Sequence, residues 1–402
     1  MDNQKVHENH SVKIAYVVLG LKISGGIAVI LQHTNRLMQL GYDVTLLNFG
    51  TTVEKIDWFY NETPIVNVNN TEDLGFFDIV IATDYRSVKF AKKIRSSRKI
   101  YFVQSDERRF KVDNIDAVTE CEMSYKEDFE FMTMAKWIQR WLKEEFDKDA
   151  YYVLNGLDTG VFYKTDPIVE KIKKPRIIIE GSINIPFKGV EDSYEAVCDL
   201  DCEIWFVSND GVPKKEWRYD RFFEKVPITE MKKIYSSCDI LLKMSKVESF
   251  CYPPLEMMAC GGIPVIREVT GIEEYAINEN NCLIVSDIEN AKLAVERLIK
   301  DKELRDKLIK NGQETAKRWS WDRSIDLLEK VIKKEPIEIF YTETFPEKYE
   351  YNKVIKSILF NLIEYERTSE FNRLFRKSIL ILKRDGLIVF FKKVFGRLKR
   401  IW

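Results

Sequence analysis

The hydrophobic pattern of the first 158 residues alternates short apolar runs with amphipathic segments. The runs are rich in β-branched residues and long enough for buried strands, while the segment between the first two runs has apolar positions at helical spacing and stops at Gly41. Alternating helices and fully apolar strands predict a parallel sheet that is covered on both faces. The predicted strands are 13–20, 42–49, 76–84, 98–106 and 150–158, and the predicted helices are 26–41 and 86–96.

The same pattern restarts after a segment rich in Lys and Pro at 164–175. A chain of 402 residues suggests two or three domains. We therefore predict two doubly wound Rossmann-like domains with a cleft between them, at 1–163 and 164–335, followed by an extension at 336–402. The predicted strands of the second domain are 176–181, 203–210, 239–244, 262–266 and 281–285, and its helices are 226–238 with Thr229 as N-cap, 287–301 and 302–319.

Composition narrows the class of protein. Hydrophobic residues make up 45% of the chain and charged residues 32%, as in folded soluble proteins. The formal net charge of -1 argues against a chain that binds nucleic acid as a whole. The seven cysteines are scattered without a CxxC pair, which favours a reducing compartment. The polar first ten residues and the lack of a spanning apolar run predict a cytoplasmic protein.

The charge is concentrated near the C-terminus. Residues 373–402 contain ten Lys or Arg and one acid, a balance of +9, so the rest of the chain carries -10. On a helical wheel, the last sixteen residues divide into a basic face and an apolar face rich in aromatic residues. We predict a basic amphipathic helix that lies peripherally on an anionic membrane surface. The alternative is a helix that packs on the acidic body of the protein or on a partner subunit.

The stretch "KVESFCYPPLEMMACGGIPVI" at 246–266 carries the candidate chemistry. Glu248 follows a predicted strand, and Pro254 suits the first turn of a helix that would hold Glu256 and end at Gly261 and Gly262. Ligands of open α/β sheets bind outside the carboxyl ends of strands, near helix N-termini. Free backbone N–H groups around 249–251 would face a diphosphate, with Glu256 on a ribose and Glu248 beside a sugar. Alternatively, Glu256 complements the helix dipole and Glu248 is a solvated loop residue.

This stretch resembles the E-x7-E signature of retaining GT-B glycosyltransferases of the GT4-like group, and the likeness extends over about residues 12–332. Segments that resemble the same enzymes in order and spacing are "SGGI" at 24–27, "NGLDTGVF" at 155–162, "GSINIPFKG" at 181–189, "NENNCLIV" at 278–285 and "WSWDRSIDLLEKVI" at 319–332. The segment "YFVQSDERRF" at 101–110 is similar to a subset that includes bacterial polysaccharide rhamnosyltransferases.

The resemblance implies a reaction and its residues. Glu248 would contact the transferred sugar, Glu256 would bind the ribose, and Lys188 would stabilise the leaving diphosphate. The donor would be a UDP-, GDP- or dTDP-linked sugar, and the acceptor a glycan or a lipid-linked glycan, with neither cofactor nor metal. The other donor-side residues would be Ser249, Phe250, Cys251, Gly181 and Gly271. The acceptor side would be formed by Gly25, Gly26 and Gln104, with Asp106 as candidate catalytic base or, alternatively, as a helix cap.

One departure from the family pattern affects the predicted chemistry. The arginine that normally follows the glycine matching Gly181 is Ser182 here, which removes a charge from the leaving-group site. Either Lys188 and the helix N-terminus suffice, or another cation such as Arg267 substitutes. The sequence therefore leaves open a non-catalytic GT-B partner subunit, and also another GT-B enzyme such as a nucleotide-sugar epimerase.

Three further features receive structural interpretations. His33, inside the first helix, is predicted to pack in the core. The D-x-D strings at 147–149 and 199–201 are predicted to serve turns or caps and not to bind a metal ion. No GxGxxG follows the first strand, which disfavours a nicotinamide-dependent dehydrogenase.

Overall fold

The structure is a computed structural model that describes residues 11–111, 114–170 and 173–338. In these ranges the chain forms two parallel β-sheets, each flanked by helices. The two doubly wound domains predicted from the alternating pattern are confirmed. The basic helix predicted within 373–402 lies outside the described residues.

The first sheet has seven strands in the order β3-β2-β1-β4-β5-β6-β7. All neighbouring strands are parallel. Its interior strand at Lys13–Val18 carries five consecutive fully buried residues, Ile14 to Val18, which explains the unbroken apolar run. The elements are β1 Lys13–Val18, β2 Asp43–Asn48, β3 Ile65–Asn67, β4 Phe77–Ala82, β5 Ser96–Val103, β6 Glu130–Thr133 and β7 Ala150–Tyr152, with helices α1 Gly25–Gln39, α2 Tyr85–Ala91, α3 Ile115–Tyr125 and α4 Lys136–Phe146.

The second sheet has six parallel strands in the order β10-β9-β8-β11-β12-β13. Its order reverses direction between β8 and β11, and such a switch point is where open α/β sheets bind ligands. The elements are β8 Arg176–Glu180, β9 Glu203–Ser208, β10 Arg221–Glu224, β11 Ile240–Lys243, β12 Ile263–Arg267 and β13 Leu283–Val285, with helices α5 Val190–Val197, α6 Ile228–Ser237, α7 Tyr252–Ala259, α8 Ile288–Lys300, α9 Lys302–Arg318 and α10 Trp321–Ile332.

Two predicted helix boundaries are wrong. The helix predicted over 86–96 ends at Ala91, and β5 already begins at Ser96. The N-cap predicted at Thr229 lies instead at Pro227, whose side chain has no capping hydrogen bond. Strands β3, β6 and β10 and helices α3, α4 and α5 were not predicted, because their apolar runs are short or are interrupted by charged residues.

The last described helix, α10, returns to the first sheet, although the predicted boundaries assign it to the second domain. The backbone N–H of Leu157 donates to the carbonyl of Trp319 over 2.7 Å, where the chain crosses between the lobes a second time. A Cβ on Gly156 would stand 2.6 Å from Cα of Trp321, so only glycine permits this close crossing. The hydroxyl of Tyr42 donates to Glu329 over 2.9 Å, which ties α10 to the first lobe.

Candidate active site

A cleft of about 2550 Å³ opens between the carboxyl ends of the two sheets. It collects most of the predicted site residues from both lobes, although they are spread over more than two hundred positions of the chain. The predicted residues that line it are Gly25, Gly26, Gln104, Gly181, Lys188, Glu248, Ser249, Phe250, Cys251 and Glu256. Ten of the predicted site residues thus share one surface, while Asp106 and Gly271 lie elsewhere, and the donor-side and acceptor-side roles of the ten stay predictions.

The loop from Glu248 to Cys251 joins β11 to α7 and directs its carbonyls into the protein. The carbonyl of Glu248 accepts from Thr270, that of Ser249 from Trp137, and that of Cys251 from Tyr275. Cys251 has a φ of 64°, a left-handed conformation that is strained for a residue with a Cβ. Its side chain makes no cap hydrogen bond, and Pro253 and Pro254 in the first turn carry no N–H, so the backbone donors that this end of α7 can offer a ligand are those of Cys251 and Tyr252.

Glu248 and Lys188 meet at the floor of this cleft. The ammonium of Lys188 lies 2.9 Å from Oε1 of Glu248. Glu248 is only 8% exposed. Lys188 ends a 3-10 turn, Pro186–Lys188, after β8, whereas Glu248 follows β11. The carboxylate and the ammonium are in contact and lie next to the N-terminus of a helix. Such a site suits a ligand in which an anionic group is attached to a group that carries several hydroxyls.

Glu256 lies deeper in the helix than predicted. A helix that starts at Pro254 would hold Glu256 in its first turn, but α7 begins at Tyr252, so Glu256 is its fifth residue and lies just beyond that turn. Its carboxylate accepts a hydrogen bond from the hydroxyl of Tyr235 over 3.2 Å. Burial, assisted by the nearby Glu180 carboxylate, raises the pKa of Glu256 to about 8. A carboxyl group that is protonated near neutral pH both donates and accepts, which suits a pair of vicinal hydroxyls.

Gly271 supports the loop from behind and does not line the cleft. It has a φ of 97°, and a Cβ at this position would stand 2.4 Å from the carbonyl oxygen of Ser249. The predicted donor contact by Gly271 is therefore corrected to a packing role, in which the missing side chain lets two backbone segments touch. Gly181, by contrast, lines the cleft beside Lys188, whose Cβ lies 3.5 Å from the position of a Cβ on Gly181.

The acceptor-side prediction is partly corrected. Gly26 lies in the first turn of α1, and a Cβ on it would stand 3.2 Å from Oε1 of Gln104, so these two predicted residues adjoin. Asp106 does not line the cleft. Its carboxylate caps the 3-10 turn Glu107–Phe110 and forms an ion pair with Arg108 at 2.8 Å. The helix-cap interpretation describes this residue, since its oxygens face inward and are already engaged.

A carboxylate that does line the cleft on the first lobe is Glu107, the next residue, which was not singled out from the sequence; Asp57, Asp84 and Asp158 of this lobe line the cleft as well. It accepts from the backbone N–H of Tyr85 over 2.9 Å and from the hydroxyl of Tyr101 over 3.2 Å. Burial and the nearby Asp84 raise the pKa of Glu107 to about 8. The only sequence signal was its place directly after Asp106 at the end of a predicted strand.

The chain is similar to glycosyltransferases in its sequence and to several solved proteins in its structure. Residues 221–315, which include both glutamates of the E-x7-E stretch, match the family described as "Glycosyl transferases group 1". An uncharacterized glycosyltransferase of Methanocaldococcus jannaschii is 25% identical over 198 residues, a match that spans 45% of this chain and 56% of that relative.

Several solved structures share the architecture. Sucrose-phosphate synthase from Thermosynechococcus elongatus superposes with a TM-score of 0.68 at 13% identity, covering 80% of this chain and 98% of that one. Anabaena HepE, solved in complex with UDP-glucose, gives a TM-score of 0.62 at 14% identity, covering 80% and 99%. WaaG, a glycosyltransferase involved in lipopolysaccharide biosynthesis, gives 0.62 at 14% identity, covering 79% and 99%.

The fold is GT-B. GT-B proteins hold their ligand cleft between two Rossmann-like lobes, and here specific contacts cross that cleft. The indole N–H of Trp137 in the first lobe donates to the carbonyl of Ser249 in the second over 2.9 Å. A guanidinium N–H of Arg109 donates to the carbonyl of Glu248 over 3.2 Å, and Cζ of Arg109 lies 5.1 Å from the ring centre of Trp137. The first lobe therefore helps to hold the loop of the second.

The position of the missing arginine is uncharged in this GT-B cleft. Ser182 lines it, but Arg267 does not, because its guanidinium pairs with Asp192 at 2.7 Å. The substitution predicted for Arg267 is therefore wrong. Lys243, the last residue of β11, does line the cleft and lies 2.7 Å from a carboxylate oxygen of Glu180. Neither member of this pair was singled out from the sequence.

The remaining predictions concern residues outside the cleft. His33 is fully buried between the rings of Tyr16, Phe102 and Trp321, and this burial lowers its pKa to about 3, in accord with a packing role. The aspartates of the D-x-D strings pair with surface lysines, at Lys143, Lys174 and Lys292.

The described residues contain neither a metal-binding cluster nor a membrane-spanning helix. Among these residues no cluster of three His, Cys, Asp or Glu side chains is arranged to hold a metal ion, and metal independence stays a prediction. Nor does any helix of the described part combine the length and the apolar character that crossing a membrane requires.

Proposed function

We propose that this protein is a retaining glycosyltransferase that transfers a sugar from a nucleotide-diphosphate donor to a glycan or lipid-linked acceptor during cell-surface polysaccharide synthesis. The observation that carries the proposal is the meeting of Glu248, Lys188 and the uncapped N-terminus of α7 at one point of a GT-B cleft, with Glu256 one turn further along. The family match at 221–315 supports the same activity.

In the proposed reaction, the bond between the anomeric carbon and the diphosphate oxygen breaks, and a bond from the acceptor oxygen to that carbon forms on the same face. The proton of the acceptor hydroxyl passes to the departing diphosphate, so no separate base is required. Lys188 and the backbone N–H groups of Cys251 and Tyr252, at the start of α7, stabilise the charge that develops on the leaving group. Glu248 holds the sugar hydroxyls, and Glu256 binds the ribose.

Donor and acceptor come from opposite lobes in this proposal. HepE binds UDP-glucose according to its structure, which makes UDP-sugars the first donors to test. On the acceptor side, Glu107 replaces Asp106 as the proposed carboxylate, since it lines the cleft opposite Gly26 and Gln104. Its raised pKa lets it hold a hydroxyl as donor or acceptor without carrying a full charge.

The finer details of the proposal concern the sugar and the location. The likeness of 101–110 to rhamnosyltransferases favours a deoxyhexose donor such as a dTDP- or GDP-linked sugar. WaaG acts in lipopolysaccharide biosynthesis, and a lipid-linked acceptor here would make attachment at the inner face of the membrane useful. We propose that the protein is cytoplasmic and binds this surface peripherally through 373–402.

The test is a thermal-shift screen against a panel of UDP-, GDP- and dTDP-sugars, followed by turnover with the donor that binds. A ligand present at 100 times its dissociation constant should stabilise the protein by about 2.7 kcal/mol. Slow hydrolysis of that donor, with release of a sugar of unchanged anomeric configuration by NMR, is the expected result. Inversion at the anomeric carbon would contradict the retaining mechanism.

Ser182 favours a second candidate, a GT-B partner subunit that keeps a nucleotide site without turning over. Such a subunit would bind a nucleotide sugar in the same screen but show no hydrolysis above that of a Glu248→Gln variant. Reversible isomerisation of the donor without transfer would instead indicate an epimerase. The three outcomes are separated by one set of product analyses.

A further inference from the structure

A lysine is buried at the end of a strand whose three preceding residues are aliphatic. The strand β11 has the sequence Ile-Leu-Leu-Lys and all four residues are buried. Lys243 ends this strand between β8 and β12, with its side chain only 3% exposed. A buried ammonium is costly unless charged or polar partners compensate, so its presence at this point requires an explanation.

The ammonium of Lys243 lies at the floor of the cleft. It donates to the carbonyl oxygen of Glu180 over 2.8 Å and to Oε2 of the same residue over 2.7 Å. Its nitrogen also lies 3.5 Å from the position that a Cβ on Gly181 would occupy, and Gly181 and Lys188 line the same surface. Glu180 accepts from two of the three N–H donors that an ammonium carries.

The charges around Lys243 keep it protonated. Burial alone lowers the pKa of Lys243, but the carboxylates of Glu180 and Glu248 outweigh this effect and raise it overall. At the cleft floor two lysines, Lys188 and Lys243, therefore oppose two carboxylates. Without Lys243 the net charge of these four side chains would be negative, and a negative net charge would repel a diphosphate.

From this geometry we infer that Lys243 supplies a second positive charge to the leaving diphosphate, from the strand beside the one that leads to Ser182. The inference rests on the proposed function, because it assigns a ligand to the same cleft. It also explains why a serine is tolerated at 182: the cation is provided by the neighbouring strand and held in place by Glu180.

The test is a set of variants that removes the pair without leaving an unpaired charge. The double variant Glu180→Val/Lys243→Leu is compared with wild type and with Lys246→Met, which breaks an exposed pair with Asp192 outside the cleft. The dissociation constants for UDP, GDP and dTDP are measured by calorimetry, and those for the corresponding nucleosides by NMR. Adding Ser182→Arg to the double variant restores a cation at the position that the resemblance marks.

We expect the double variant to bind the best nucleoside diphosphate about tenfold or more weakly, with nucleoside affinity unchanged, and Ser182→Arg to recover part of the loss. Lys246→Met should behave like wild type. A double variant that folds and keeps its diphosphate affinity within about twofold would overturn the inference and leave the proposed function intact. If wild type binds none of the three diphosphates, the proposed function itself fails.

A second measurement covers a double variant that does not fold. The lysine ε-carbons of wild type are labelled with ¹³C, and the Lys243 signal is assigned by its loss in Lys243→Arg. Addition of the diphosphate that binds must shift this signal by more than that of the exposed Lys246. An unshifted Lys243 signal at saturation would show that the residue only stabilises Glu180.

Discussion

The ammonium of Lys188 and the carboxylate of Glu248 lie 2.9 Å apart, although 60 positions separate them in the chain. They meet because β8 and β11 are adjacent at the centre of the second sheet, so the segments that follow both strands emerge side by side. The change of strand order at this point creates the cleft and brings the charges of Lys188 and Glu248 together in it.

Removing either charge should reduce activity. We expect Lys188→Met and Glu248→Gln each to lower the rate of donor hydrolysis about tenfold to a hundredfold, the effect of losing a charge-assisted contact in the transition state. Glu248→Gln leaves a lysine that is 28% exposed and can be solvated, so it should cost about 1 kcal/mol or less of folding free energy, whereas Lys188→Met leaves the buried carboxylate of Glu248 unpaired and should cost more. Steady-state rates and urea unfolding are compared with Lys214→Met, which breaks an exposed pair with Glu191. Full activity in both variants would contradict the proposed site.

Glu256 should make the protein less stable as the pH rises through neutrality. Burial and the nearby Glu180 raise the pKa of Glu256 from 4.5 to about 8, so the folded state binds its proton more tightly than the unfolded chain. This contribution is complete below the unfolded pKa and is lost as the pH rises through the folded one. We expect Glu256→Gln to flatten the fall in the free energy of unfolding between about pH 5 and pH 8, measured by urea denaturation.

The control for this pH dependence is Glu279→Gln. Glu279 pairs with Arg297 on the surface, which lowers its pKa, so its contribution is present above the ordinary pKa and lost only as the pH falls below it. The slope between pH 5 and pH 8 should therefore stay as in wild type. A Glu256→Gln variant with an unchanged slope would show that the carboxylate is ionised in the folded state.

Gly271→Ala should damage the donor loop from outside the cleft. A Cβ would meet the carbonyl oxygen of Ser249 at 2.4 Å, and the left-handed φ of 97° adds about 1 kcal/mol or more of strain. We expect lower stability and a higher KM for the donor, because Ser249 and its neighbours must shift. Gly75→Ala is the matched control, since a Cβ there meets no atom within 4 Å. Equal behaviour of the two variants in both measurements would refute the packing role.

Trp137→Phe should weaken donor binding by loosening the contact between the lobes. The change keeps an aromatic ring but removes the N–H that donates to the carbonyl of Ser249 over 2.9 Å. We expect a several-fold rise in the KM for the donor, while kcat changes less. Trp217→Phe serves as control, because its ring stacks with Tyr194 and Phe206 away from the cleft. A lower kcat at unchanged KM would assign Trp137 a different role.

The basic segment gives a prediction about membranes. Deletion of 373–402 should abolish co-sedimentation with vesicles that contain anionic phosphatidylserine, because about 1 kcal/mol of attraction is lost with each basic residue near the surface. Binding should also weaken with added salt and be absent from neutral phosphatidylcholine vesicles. Undiminished binding of the truncated protein to the anionic vesicles would remove the membrane assignment.

The sequence was informative where local signals agree with one another. Around Pro254, a predicted strand, a proline in the first helical turn and a pair of glycines fix a strand, loop and helix within about twenty residues. The roles predicted for Ser249 and Glu256 rest on that local order. Nothing in the sequence indicates that α7 already begins at Tyr252, two residues before Pro254, which places Glu256 just beyond the first turn.

Contacts between segments that are far apart in the chain could not be predicted from the sequence. Asp106 and Glu107 are consecutive carboxylates, and only the 3-10 turn that follows decides which of them faces the cleft. Lys243 and Glu180 pair across neighbouring strands that are 63 positions apart. Each residue alone has the appearance of a strand end, and a single sequence does not show that the two strands adjoin.

The return of α10 to the first lobe has a consequence for how the protein can move and be divided. Two polypeptide connections, near Gly156 and near Ser320, lie against each other and join the halves. A rotation that opens the cleft must turn about the line through both connections, which restricts the rotation to a hinge motion. A fragment ending at 163 would lack α10, the helix that covers His33 and Tyr42, and would expose an apolar cavity to solvent.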